Sequence, residues 1–443
     1  MKYKFLLLLN VNISYGLAKI PIKRLPELKK IDSKIYKLAK PATINYLMVP
    51  FLGLVDSFWV SQLGGAEKLA AQGCADQIYN TFYRMTDFYS PVIAPEVSIL
   101  NARNHTEKIS NVVSTSIYST CIMTLILTCI ILIFNCQIIN FFVKGNTMNK
   151  LTSEYLKYRS LGLMFGLINS IIFSTLRGML DFNSAIRINI KSQIFNIITD
   201  PIFMYFYDLK GLALATVLSE VYCTIEYLLL LKKKNIKIQK FKNDFATFFD
   251  TLKKGMYVQV RSLCYNLLGI ITNNKIISID QEGKKVAAHI LSLKIFDFGT
   301  ILSNSMNSVT SILVSNERVF NKDKIIRKRL IQWSNVVGIF QFILFYNLRY
   351  IIGFFTNDIT VINECVKISN IIAFYGYFSC VSSVLEGILQ GYQKYRAQSL
   401  FAIFIFISIN ISINFAKDLN QIWMSALVFT IVKCIGIFKL IFF

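Results

Sequence analysis

The chain is 443 residues long, 54% hydrophobic and only 16% charged, with a mean hydropathy of +0.49. A water-soluble chain carries nearer a quarter of its residues charged, so this balance points to a bilayer as the main solvent. The net charge of +23 lies in short loops between apolar runs, where basic residues set topology and meet anionic headgroups, which argues against nucleic acid as a partner.

At the N-terminus, Met1-Lys2-Tyr3-Lys4 ahead of the apolar stretch 5–9 has the pattern of a short signal or organelle-targeting segment. The apolar core is short, and the plainer reading is a basic cytosolic tail over residues 1–34. Apolar runs then continue almost to the C-terminus. About 20 apolar residues span a ~30 Å hydrocarbon layer as a helix, and a lone run in lipid must satisfy its own backbone, which a strand does not. The expected helices are 35–61, 69–98, 111–135, 155–177, 185–208, 211–231, 255–278, 286–314, 330–353, 360–388, 396–416 and 420–442.

Basic residues alternate between the two sets of loops. Residues 1–34, 99–110, 177–191, 232–254, 315–329 and 389–397 hold most of them, among them Lys232, Lys233, Lys234, Arg327, Lys328 and Arg329. The opposite set holds few, such as Lys68, Lys210 and Arg349. The alternation supports twelve spans with both termini on the cytosolic or equivalent organellar side, in a plasma or organelle membrane. The basic linker 232–254 divides the chain into halves of six helices each, 35–231 and 255–443. Gly65-Ala66-Glu67-Lys68-Leu69-Ala70-Ala71-Gln72 resembles Gly283-Lys284-Lys285-Val286-Ala287-Ala288-His289, and Leu176-Arg177-Gly178 resembles Leu385-Glu386-Gly387. Six helices per half is even, so the repeats run parallel about an axis along the membrane normal.

Nine cysteines form no CxxC pair, and with only His105 and His289 no metal spacing arises. No catalytic motif is visible either, so neither an enzyme nor a bound metal or cofactor is expected, apart from a coupling proton or sodium ion.

Ionisable residues inside spans are expensive to keep and mark function. The candidates are Asp56, Arg84, Asp87, Asp200, Glu220, Glu226, Arg261, Lys275, Lys294, Asp297 and Lys433. Several have a plainer reading: Arg84 with Asp87, and Lys294 with Asp297, are spaced to neutralise each other on one helix face. Glu226, Lys275 and Lys433 lie near enough to span ends to snorkel. Asp56 and Asp200 have no basic residue within a helical turn. Counted from the outer span ends at ~1.5 Å per residue, Asp56, Asp200 and Thr216 all lie roughly 8–10 Å below the outer mouth. Asn196 stands one turn from Asp200 on the same face. Two carboxylates, an amide and a hydroxyl at one depth make a proton or cation site; the plainer alternative is that the aspartates point apart. Pro41 and Pro50 in the first span remove backbone bonds and make it a candidate hinge, or a static kink.

The stretch Pro41-Ala42 to Val49-Pro50-Phe51-Leu52-Gly53-Leu54-Val55-Asp56-Ser57-Phe58-Trp59-Val60-Ser61-Gln62 resembles the first-helix signature of the multidrug and toxic compound extrusion (MATE) family, in its DNA-damage-inducible-protein-F branch. Phe195-Asn196-Ile197-Ile198-Thr199-Asp200-Pro201, Gly211-Leu212-Ala213-Leu214-Ala215-Thr216 and Leu176-Arg177-Gly178 are similar to further family stretches, and 78–84 to plant plastid-type members. The resemblance implies an all-α polytopic membrane protein, twelve transmembrane helices in two pseudo-symmetric six-helix bundles forming a V, acting as a monomer. It implies an antiporter that exports small organic molecules, drug-like or organic acid, in exchange for protons or sodium, with Asp56, Asn196, Asp200 and Thr216 as the cation site. Phe182 stands where the family places a proline after Asp181, and Lys275 and Lys294 are unusual within spans; these departures argue against drug-type specificity, and the lysines would suit an anionic substrate. Arg84, Arg261 and Lys294 are the candidate substrate contacts. A lipid-linked-precursor flippase of related fold and a major-facilitator-type transporter are the alternatives. For the latter, the loop Asn101-Ala102-Arg103-Asn104-His105 lacks the glycine–acid–arginine–arginine pattern.

Overall fold

The computed structural model describes residues 25–142, 146–239, 245–280 and 283–442. The expected targeting segment at 1–9 falls outside them. Among the described residues the regular elements are all helices. They are α1 (Leu25–Thr86), α2 (Ser90–Ala102), α3 (Thr106–Ile133), α4 (Asn135–Phe142), α5 (Asn146–Ser160), α6 (Leu163–Gly178) and α7 (Phe182–Lys233) in the first half. The second half holds α8 (Phe245–Ile279), α9 (Lys284–Gly299), α10 (Ile301–Arg318), α11 (Asp323–Tyr346), α12 (Leu348–Ile352), α13 (Ile359–Gly391), α14 (Tyr395–Phe415) and α15 (Leu419–Phe442).

Two of these are too long for a single crossing. α1 has 62 residues and α7 has 52; at ~1.5 Å per residue the first would run roughly 90 Å, three times the hydrocarbon thickness. Each doubles back at one residue, α1 at Gly65 (φ 78°, ψ −179°) and α7 at Asp208 (φ 59°, ψ −147°). Glycine takes such a conformation freely. Asp208 does not, and the strain of roughly 1–3 kcal/mol is offset in part by the bonds its carboxylate accepts from Lys68 at 2.7 and 2.6 Å. Those bonds join the two outer turns of the first half.

By length and composition six helices qualify as spans, or eight when the bent pairs 149–178 and 284–318 each count as one. Two of the six are the doubled α7 and the stretch Leu28–Ala102, in which α1 doubles back and runs on into α2. The remaining expected crossings lie in α8 and α11, whose apolar runs are interrupted by Gln259, Arg261, Asn273, Asn274 and Lys275 and by Gln332, Asn335 and Gln341. Each of the twelve expected spans therefore corresponds to helix. Several boundaries moved: α1 starts at Leu25, inside the expected tail, and α8 at Phe245, inside the expected linker; α3, α7 and α11 start at Thr106, Phe182 and Asp323, inside expected loops; and the expected spans 69–98 and 286–314 are each broken, after Thr86 and after Gly299.

Each half buries its own core, Val60, Ala71, Ile78, Leu163, Leu212 and neighbours in the first, Phe296, Phe345, Ile372, Ile409 and Trp423 in the second. Backbone geometry repeats between them. Gly65 and Gly283 both have positive φ (78° and 76°), as do Asn104 and Asn321 (both 56°) and Leu180 and Gln393 (63° and 58°). At the helix end before the last pair, a Cβ on Gly178 would meet the Ala94 carbonyl and Val97 (2.6 and 2.8 Å); one on Gly391 would meet the Ser311 carbonyl and Val314 (both 2.9 Å). Leu176-Arg177-Gly178 thus matches Leu389-Gln390-Gly391, one helical turn beyond the match read from the sequence. The shift has a physical cause, since Gly387 is also a close-approach glycine, against the Asn307 carbonyl at 2.7 Å.

The halves meet at the end bearing the basic loops, giving a V that opens away from it. There α10 packs on α2 and on α1. Ser98 donates to the Ile312 carbonyl at 2.9 Å, Thr43 to Ser305 at 2.9 Å, and Lys34 pairs with Glu317 at 2.5 Å. A mixed apolar cluster of Ile35, Leu38, Ala94, Val309, Ile312 and Leu389 fills the seam. Gly255 lets α8 lie on the Phe88 ring, where a Cβ would stand 2.1 Å away. The linker is fastened to the first half, because the backbone N–H groups of Lys237 and Gln239 donate to Ser110 and Ser114 at 3.2 and 2.9 Å.

Candidate functional site

The doubled helices bring Asp56 and Asp200 together. Each sits a few residues below a turn, Gly65 or Asp208, and α1 packs along α7 through the first half. Asp200 is fully buried, Asp56 half-buried, and their carboxyls lie within hydrogen-bonding reach of one another. Asn196, also buried, donates to Asp200 Oδ1 at 2.6 Å. One oxygen of each aspartate, Asp56 Oδ1 and Asp200 Oδ2, is enclosed with no hydrogen-bond partner. Two carboxyls hydrogen-bond only by sharing a proton, and a cation that takes two enclosed oxygens replaces it chemically. Thr216 bonds elsewhere: its hydroxyl donates to the Leu212 carbonyl of its own helix at 3.0 Å. Pro41 and Pro50 lie in unbroken helix. Lacking N–H groups, they leave the carbonyls of Lys37 and Tyr46 without a helical donor.

A second polar network adjoins the pair. Arg159 grips Glu220 with two bonds of 2.9 and 3.2 Å and stacks on the Tyr79 ring at 3.8 Å. Tyr155 donates to Asp76 at 3.2 Å, and Asp76 feels the charges of both Arg159 and Asp56. In the other half Glu386 accepts from Arg261 at 2.9 Å and from Tyr265 at 3.1 Å, and pairs with Lys433. Asp76, Arg159 and Glu386 were not singled out by sequence. Asp76 and Glu386 lie within expected spans, as Asp56 does; Arg159 lies at the end of the polar stretch 146–160 and carries no such signal.

Two plainer readings fail. Lys433 does not snorkel; it is buried, because Glu386 and Tyr265 meet its ammonium inside the bundle. Arg84 and Asp87 do not pair, since Asp87 accepts from Ser170 at 2.7 Å on α6. Glu226 pairs with Lys191 at 3.8 Å, and Lys275 donates to the Asn414 carbonyl at 3.1 Å.

At the floor of the V lies a cavity of about 290 Å³ lined by Tyr46, Arg84, Asp87, Arg177, Arg261 and Ser308, with other residues of both halves. Two of the expected substrate contacts, Arg84 and Arg261, are on it. Lys294 is exposed on α9 and is not among the residues that line it.

The MatE family profile matches residues 41–202 and 258–416. Multidrug export protein MepA of Staphylococcus aureus (strain bovine RF122 / ET3-1) is 21% identical over 376 residues, 82% of each chain. A solved transporter of the MOP superfamily from Pyrococcus furiosus superposes with a TM-score of 0.81 at 19% identity, covering 93% of this chain and 95% of that one. A MATE structure in the bent conformation gives 0.83 at 19% identity over 93% and 94%. At these identities the structural likeness is one of fold. The family match covers most of the sequence in two equal portions, one in each bundle, and excludes the major-facilitator reading: the chain belongs to the MatE family of multi-pass membrane transporters, which are not enzymes.

Proposed function

We propose that this chain is a secondary-active exporter of small organic molecules, coupled to inward movement of protons or sodium through Asp56 and Asp200. The observation that carries the reading is the carboxyl pair with one enclosed, unpartnered oxygen on each member. Burying such groups idle costs several kcal/mol, so their retention argues for an exchangeable ion. MepA, a multidrug export protein by name, supports export as the direction.

The mechanism follows from differential binding. A cation on the pair draws α1 and α7 together; its loss leaves two negative charges that repel. The two states pack differently, and substrate affinity changes with them. The prolines of α1 offer the place for that change, since the helix there already lacks two backbone bonds. Export under separately imposed proton and sodium gradients in proteoliposomes tests the proposal. Flux indifferent to both gradients would remove it.

A further inference from the structure

The cavity at the floor of the V presents three guanidinium groups, Arg84, Arg177 and Arg261, and one carboxylate, Asp87. Arg261 already has Glu386. Neither Arg84 nor Arg177 forms an ion pair among the described residues; Asp297 lies within electrostatic range of the first and Asp87 of the second. Arg177 is the unusual one. It is 8% exposed; its hydrogen bonds go to hydroxyls, Ser308 at 2.7 Å, Ser174 at 2.8 Å and Ser90 at 3.2 Å, and its guanidinium carbon lies 4.9 Å from the centre of the Phe173 ring. Its Nε–H is enclosed and has no acceptor. A buried cation without an anion is costly, and a buried guanidinium donor without an acceptor adds to that.

We infer that this cavity is a binding site for an organic anion, a carboxylate, sulfonate or phosphate ester, whose head group takes Arg177 as its main partner. The inference rests on the exporter reading and gives its substrate a charge. A guanidinium offers parallel donors to two oxygens of such a group, and the low-dielectric walls strengthen the attraction. The same field disfavours organic cations, because three guanidinium groups face the cavity against one carboxylate, Asp87. Arg177 belongs to the first half and donates directly to Ser308 of the second, so an anion bound beside this contact lies at the joint of the two lobes. Arg84, exposed on the cavity wall, adds long-range attraction without being part of the buried socket.

The test uses benzenesulfonate and phenyltrimethylammonium, a matched aromatic pair of permanent and opposite charge. Binding is measured by calorimetry on the full chain in lipid nanodiscs, and flux in proteoliposomes under an imposed cation gradient. We expect benzenesulfonate to bind at least tenfold tighter than phenyltrimethylammonium. Arg177→Gln should remove that preference, and Arg177→Lys should keep part of it. Arg84→Gln, an exposed change that spares folding, should weaken benzenesulfonate three- to tenfold. Preference for phenyltrimethylammonium, or unaltered benzenesulfonate binding in both glutamine variants, would overturn the inference. Gradient-driven flux of the cation alone would overturn it while leaving export intact. Benzenesulfonate binding that depends on Arg177, without any flux, would sustain the site and sink the exporter reading.

Discussion

Arg329 of α11 holds Asp32 of α1 through two hydrogen bonds of 2.6 and 2.5 Å, and Trp333 adds a third at 2.9 Å to the same carboxylate. The pair lies at the end bearing the basic loops and crosses from one lobe to the other. The hydrogen bond from Arg329 holds the Asp32 carboxyl below its ordinary range, against a smaller opposing effect of burial. A depressed carboxyl keeps its contribution above the ordinary carboxylate range and loses it only as pH falls through the lowered value. The latch should therefore be intact at neutral pH and open only in strong acid. Both side chains are about a quarter exposed, so the pair is worth up to about 1 kcal/mol. Asp32→Asn should shift the closed-to-open ratio at that end by up to about fivefold. Spin labels at the exposed positions 107 and 324 would register the wider distance population at neutral pH; an unchanged distribution would show that the latch contributes nothing.

Replacing either aspartate of the pair should stop coupled export while leaving a folded, membrane-inserted protein. Asp200→Asn removes the group that Asn196 supports, and Asp56→Asn removes the other half of the pair. Each should lower gradient-driven flux by 100-fold or more, on the order of 3 kcal/mol in coupling. Export at the wild-type rate in Asp56→Asn would end the coupling proposal.

Glu386→Gln should be among the most damaging substitutions outside that pair. It leaves Arg261 and Lys433 buried beside each other without an acid, and breaking a buried ion pair from one side costs roughly 3–5 kcal/mol. The expected readout is a large fall in melting temperature in detergent. Glu386→Gln combined with Lys433→Met should recover part of the loss, because it removes one of the two cations left without an acid; Arg261 stays unpaired.

The paired close approaches predict paired sensitivities. Gly178→Ala and Gly391→Ala each place a methyl against a backbone carbonyl that cannot swing away, at a cost of roughly 1–3 kcal/mol. Gly53→Ala, where a Cβ meets nothing within 4 Å, should be neutral or mildly stabilising in the same assay. Equal behaviour of the three would deny the tight contacts.

The span count was legible because lipid forbids most alternatives, and the two aspartates because nothing nearby neutralises them in sequence. What escaped notice was pairing between distant elements. Arg159 and Glu220 are far apart in the chain, as are Arg261, Glu386 and Lys433, and no local spacing reveals that they meet. Local spacing misled for Arg84 and Asp87, where Ser170 of another helix took the carboxylate. The repeat was found but set one turn off in its second member, because two glycines a turn apart both serve close packing. Thr216 was at a fitting depth, yet depth says nothing about which way a hydroxyl turns.

The Lys68–Asp208 clasp has a mechanical consequence for the first helix. Its outer end is pinned to the neighbouring hairpin, while Pro41 and Pro50 notch it further down. A rod clamped at one end and notched below flexes at the notch, so load from the carboxyl pair should be passed down toward the floor of the V rather than lost at the rim. Tyr46, whose carbonyl Pro50 leaves free, lines that floor, and bending there would alter the shape of the chamber directly.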